Sequence, residues 1–173
     1  RTVFDGGGVD PDVLVEGKKY APITTSLYLN GLTFDFATSY YYDHATIAPA
    51  NQFELTEQDY KSFVDWLEEM NYTYKTKTAN QLDSLEEMAK KELYYEDIKM
   101  NINNLRKSLE NEKDEALLKF KTQIMELIEQ DIATHYYFER GRVGSSLRSD
   151  VQLQRAVDIL NNTSAYNSIL SGQ

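Results

Sequence analysis

The sequence predicts a mainly α protein: a helical bundle with a long antiparallel helical hairpin, preceded by a short extended N-terminal segment. Three observations predict it. Between Thr78 and Arg140 the chain contains neither Gly nor Pro, the two residues that most readily interrupt helices. Through that stretch apolar residues recur at three and four spacing, the period of one helix face. Gly and Pro gather instead near the start, at Gly6, Gly7, Gly8, Pro11, Gly17 and Pro22.

The N-terminal segment reads as a turn followed by extended chain. Gly6, Gly7 and Gly8 permit positive φ, and Pro11 holds Asp10 out of the helical region. Val13, Leu14 and Val15 suit a short strand, expected to pair with a sheet outside this sequence. From Ile23 to Asp43, Leu27, Leu29, Phe34, Phe36, Ala37, Tyr40 and Tyr41 follow helical spacing, and Asn30 with Gly31 marks a stop and restart. Two short helices are therefore expected. Pro49 and Asn51 interrupt the period, so His44 to Leu55 reads as a loop. Thr56 then caps a helix whose first turn carries Glu57 and Asp59, with Tyr60, Phe63, Val64 and Leu67 on one face and Trp66 beside it.

After an extended connector from Tyr72 to Lys77, Thr78 with Gln81 reads as a capping box that opens the long helical section. Its apolar stripes are Leu82, Leu85 and Ala89; Ile98, Ile102, Leu105 and Leu109; and Leu117, Phe120, Ile124, Leu127 and Ile128. The most polar interruption, residues 110–115, is the expected bend of the hairpin, a single long helix being the alternative. Gly141 and Gly144 are expected to end the section. Ser149 with Gln152 reads as the cap of a helix through Leu160, and residues 165–170 as a final turn or two.

The chain's 173 residues are enough to bury a core, and its net charge of −10 argues against binding to nucleic acid or anionic lipid. With no Cys there are no disulfides or thiolate metal ligands, and no apolar run reaches the length of a membrane span. The start at Arg1, without Met or a targeting segment, leads to the expectation that this is a piece of a larger protein.

No complete catalytic, cofactor-binding or metal site is read from the residues. Ser145 and Ser146 are the only suggestive hydroxyls; no Gly-Xaa-Ser-Xaa-Gly elbow surrounds them, and turn formation accounts for both. His44 and His135, the only histidines, lack ligand spacing and read as surface or partly packed residues. Glu68 with Glu69, and Glu86 with Glu87, diverge by about 100° on a helix and read as solvated faces. The triplet Gly6 to Gly8 lacks the following Gly-Lys-Ser/Thr of a phosphate loop. The aromatic clusters Tyr40 to Tyr42, Tyr94 with Tyr95, and Tyr136 to Phe138 read as core and interface packing, with ligand stacking as the other possibility. Asn71, Asn161 and Asn162 stand in sequons short enough to arise by chance.

The run Arg1-Thr2-Val3-Phe4-Asp5-Gly6-Gly7-Gly8-Val9-Asp10-Pro11-Asp12-Val13 resembles the segment that closes the protease domain of C-terminal processing peptidases, also called tail-specific proteases. The remainder, including Phe34-Asp35-Phe36-Ala37-Thr38 and Tyr40 to Tyr42, is similar to the helical C-terminal extension of that family's larger envelope members. The resemblance implies a division at 21/22, with residues 1–21 ending a protease domain and 22–173 forming a helical C-terminal domain. It also implies a Ser nucleophile and a Lys base upstream, a PDZ domain further upstream, and a periplasmic or cell-envelope location. The chain itself would be non-catalytic. Its expected partners are the upstream protease domain, the protein or peptide substrates of the parent and a possible second copy. A free-standing module binding a partner helix through Leu117, Phe120 and Ile124 is the competing reading.

Overall fold

The computed structural model describes residues 6, 10–109 and 112–171, and they are mainly helical. The helices run α1 Pro22–Leu29, α2 Leu32–Asp43, α3 Glu57–Glu69, α4 Lys77–Lys91, α5 Tyr95–Ser108, α6 Glu112–Lys119, α7 Lys121–Ser146, α8 Val151–Asn161 and α9 Thr163–Ser171. Two compact units result: Tyr20–Ser146, and a smaller one made of Arg1–Lys19 with Leu147–Gln173. The expected division at 21/22 thus meets a larger unit that begins at Tyr20 and leaves α8 and α9 to the smaller one.

In the larger unit, α7 is the spine and α2 packs along it. Ile124, Ile128 and Ile132 recur every four residues on α7 and are fully buried, as a core-facing stripe requires. Ile23 and Leu27 of α1, Phe36 and Ala37 of α2, Tyr60, Phe63 and Leu67 of α3, and Leu117 of α6 complete one core. Phe63 meets Phe36 edge-on at 5.1 Å and stacks on Trp66 at 6.1 Å. α3 opens with a full capping box, Thr56 Oγ1 accepting from the Asp59 amide at 3.1 Å while Asp59 accepts from the Thr56 amide at 2.9 Å.

Several sequence expectations are corrected. The cap of α4 is Thr76, whose hydroxyl accepts from the Ala79 amide at 3.1 Å, so the helix starts before Thr78 and no Thr78–Gln81 box forms. The hairpin turns at residues 92–94, where α4 ends in a Schellman arrangement: the Tyr94 amide donates to the Ala89 carbonyl at 3.0 Å and the Leu93 amide to Lys90 at 3.4 Å. Leu93 takes φ 64° there. Because a leucine fills a position usually given to glycine, composition offered no sign of the break. Of the expected bend at 110–115, residues 110 and 111 lie outside the described residues and residues 112–115 belong to α6.

Gly141 and Gly144 do not end the helical section, since α7 continues to Ser146. Its interruption is at Phe138, φ 56° and ψ −149°, a region costly for any residue with a side chain. After that reversal Gly141 lies so close to the preceding turn that a Cβ would stand 2.1 Å from the Ala133 carbonyl oxygen. Its missing side chain therefore permits a close approach.

In the smaller unit the N-cap of α8 is Asp150, accepting from the Gln152 amide at 2.9 Å and the Leu153 amide at 3.0 Å, whereas Ser149 lies in the preceding 3-10 turn. A carboxylate that can serve two amides is the stronger cap. α9 is longer than the expected turn or two and is capped by Asn162. Residues 13–15 form no strand; with Pro11 they border a groove against α8.

Candidate functional site

Side-chain to backbone hydrogen bonds, most of them from α7, explain how the loop and short helices are held. Gln123 Oε1 accepts from the Ala21 amide at 2.9 Å, ahead of α1, and Glu129 Oε1 accepts from the Leu55 amide at 2.8 Å. The Tyr60 hydroxyl donates to the Leu117 carbonyl at 2.7 Å, and burial pushes its phenol well above the ordinary tyrosine value. Tyr136 donates to the His44 carbonyl, and Tyr137 reaches the Ile47 and Ala48 carbonyls at 3.2 and 3.3 Å. The 44–55 loop is thereby fastened to α7 by hydroxyls that hydropathy reading registers only as aromatic.

These links build an aromatic face where α2 meets the latter half of α7. Tyr41 packs against Tyr136 at 4.8 Å, and Phe34 lies 4.8 Å from the His135 ring. Tyr42, whose ring lies 6.0 Å from that of Tyr41, is 82% exposed and Phe34 is half exposed; Phe138, after the backbone reversal, is 78% exposed. The structure thus joins two aromatic runs that stand almost a hundred residues apart, Tyr40 to Tyr42 and Tyr136 to Phe138. Tyr94 and Tyr95 lie instead at the hairpin turn, where Lys90 and Lys99 approach the Tyr95 ring at 4.9 and 5.6 Å.

His135 sits within this face in a structural setting. Its Nδ1 lies 2.8 Å from the Asp131 carbonyl, which can only accept, so Nδ1 carries a proton; Nε2 lies 3.0 Å from Thr38 Oγ1. His44 stacks on Tyr40 at 3.9 Å. Below His135, the side-chain oxygens Asp131 Oδ2 and Thr33 Oγ1 are buried without a geometrically sound hydrogen bond. Burial holds the Asp131 carboxyl above the ordinary carboxylate range, Thr33, His135 and Arg142 pulling the other way.

The remaining sequence candidates carry structural duties. Ser145 is 5% exposed, and the Ser146 hydroxyl donates to the Val143 carbonyl at 2.9 Å. Glu86 binds Lys90 and Arg106, both at 2.6 Å, and these contacts hold its carboxyl low. Asn71 ends α3 with φ 53° in a second Schellman arrangement. Among the described residues, no group of three or more His, Asp or Glu could hold a metal ion, and no helix is long and apolar enough to cross a membrane. A groove of about 280 Å³ between Tyr20, Thr25, Tyr28, Leu127 and Gln130 is lined largely by uncharged side chains, suited to an apolar side chain more than to acid–base chemistry.

Residues 23–160 match the family described as "Probable PDZ-protease, C-terminal helical domain". The chain belongs to that family. The match begins inside α1 and reaches almost to the end of α8, so it spans the core, the aromatic face and the α4–α5 hairpin of this PDZ-protease helical domain. No curated protein and no solved structure gave a match. The stripe Leu117, Phe120 and Ile124 is not a surface on this domain: Leu117 and Ile124 are buried and Phe120 packs against the core. That removes the basis for a free-standing module recognising a helix through those residues.

Proposed function

We propose that this domain is a non-catalytic part of a serine-type C-terminal processing peptidase of the periplasm or cell envelope, and that it positions protein substrates for the catalytic domain. The observation that carries the reading is the family match over the folded helices, taken with the aromatic face in which ring contacts link Phe34, Tyr41, Tyr42, His135 and Tyr136. Flat aromatic surfaces bind extended or partly unfolded chain because each ring offers a large contact area with few rotatable bonds to immobilise. Active-site shielding and dimerisation are the other roles the resemblance implies. In this reading the Ser nucleophile and Lys base lie upstream of residue 1.

The test uses the whole parent polypeptide, with a folded protein substrate and a short peptide substrate measured side by side. Phe34→Ser with Tyr42→Ser should raise KM for the protein several-fold and leave peptide turnover unchanged, while a serine-directed phosphonate labels a residue upstream of Arg1. Unchanged cleavage of both substrates would reject substrate positioning. Absence of upstream labelling and of peptide hydrolysis would reject the peptidase assignment itself.

A further inference from the structure

We infer that α7 is a two-state helix, whose bent form gives way to a straight one through a change of backbone angles at Phe138. The residues of α7 on both sides of Phe138 are helical, and Phe138, at φ 56° and ψ −149°, is the one residue inside it with non-helical angles. Rotating it into the right-handed region makes one continuous helix of 26 residues, about 39 Å long. Against the bend stands the strained backbone of Phe138, whose ring is 78% exposed and so returns little burial for it. For the bend stands a face of small residues. Gly141 sits against the Ala133 carbonyl and the Tyr137 Cβ, Ser145 is buried, and a Cβ on Gly144 would stand 3.5 Å from that of Ala50.

A straight α7 forfeits those contacts and carries two glycines inside a helix, which disfavours it, but it relieves residue 138. The two forms differ at a single residue, and each has its own stabilising term, as a bistable element requires. The 44–55 loop spans the bend. Tyr136 and Tyr137, before it, hold the carbonyls of His44, Ile47 and Ala48, whereas Gly144, after it, faces Ala50. Straightening therefore frees Ala50 and leaves the tyrosine links in place. It also carries Phe138 onto the helix face of His135, three residues earlier. There the Phe138 ring extends the surface on which Phe34 and Tyr41 meet His135. In the bent form the helix withholds that ring from the aromatic face.

The test measures, by double electron–electron resonance on the full parent polypeptide, the distance between spin labels carried on azidophenylalanine at positions 122 and 143, both exposed on α7. A straight helix sets these positions about 32 Å apart. The bend, with Gly141 against Ala133, sets them much closer. Two variants press on the bend from opposite sides: Gly141→Ala puts a methyl into the seat at Ala133, and Ala50→Phe crowds Gly144 from the loop. Each should raise the long-distance fraction roughly tenfold with far-UV helicity retained. Adding Phe138→Gly should return the short distance, because glycine relieves the strain and disfavours the straight helix. Unless at least one variant moves to the long distance with its helicity intact, the two-state character of α7 is disproved; a broad distribution with lost helicity marks local unfolding and counts against it. A long distance that Phe138→Gly leaves unchanged overturns it as well.

Discussion

The α2–α7 pair and the α4–α5 pair both lay one helix beside another, yet they are held by different physics. α2 and α7 share a core with α1, α3 and α6, in which Ile124, Ile128, Ile132 and Phe63 are fully buried. α4 and α5 have Leu82, Ala89 and Ile102 as their buried apolar residues and leave Leu85, Met88, Met100 and Leu105 about half or more exposed. Their strap is ionic: Arg106 reaches Asp83 and Glu86, both at 2.6 Å, while Lys75 adds a second contact to Asp83 at 3.0 Å. Exposed ion pairs contribute little to stability and fix geometry mainly at low salt. The bundle is thus the stable scaffold and the hairpin an arm able to open while the bundle stays folded.

The largest effect should come from emptying the core. Phe63→Ala removes a fully buried ring that touches Phe36 and Trp66, and should cost about 3–5 kcal/mol in urea unfolding. Gly141→Ala should follow at about 2–4 kcal/mol, because the new methyl meets the Ala133 carbonyl and the Tyr137 Cβ, 2.7 Å away, with only backbone movement to relieve it. A loss under half a kcal/mol in either case would mean that the bundle is looser than its packing implies.

In the arm the sign reverses. Leu93→Gly removes the side chain that makes φ 64° costly and should slow hydrogen exchange across α4 and α5 by an amount equivalent to about 1 kcal/mol. Faster exchange would show that Leu93 makes contacts worth more than its strain.

Asp131→Asn probes the bundle's buried carboxyl. An unfolded Asp titrates near about pH 4, and burial raises the native value, so the native state holds the extra proton between the two. Stability conferred by that proton is complete below the unfolded value and is lost as pH rises through the native one. The variant should therefore melt higher than the parent at neutral pH, with the gain vanishing below about pH 4. A gain independent of pH would assign the effect to packing. Smallest in global melting is Arg106→Ala, which should leave the bundle transition in place while speeding amide exchange in α4 and α5, an effect that about 0.5 M salt partly reproduces in the parent. A large drop in melting temperature would join arm and bundle into one cooperative unit.

Helix type and the main core stripes were legible in the sequence because they depend on periodicity, which a chain carries locally. Thr56 was readable as a cap for the same reason, its partner Asp59 lying three residues away. The aromatic face was legible only as separate clusters, since Tyr41 and Tyr136 meet through the packing of α2 on α7. The hairpin turn at Leu93, the reversal at Phe138 and the seat of residues 13–15 on α8 went unread. At the first two, residues with bulky side chains adopt backbone angles that composition assigns to glycine; at the third, the run Val13-Leu14-Val15 lines a groove with α8 and forms no strand.

The sequence by itself determined a mainly helical, acidic chain without cysteine and the caps and stripes of individual helices. Only the tertiary structure decided where the long section breaks and which tyrosines share a surface. The physical reason is range: capping and periodicity act over one or two turns, whereas backbone strain at Leu93 or Phe138 is tolerated only when contacts distant in sequence offset it.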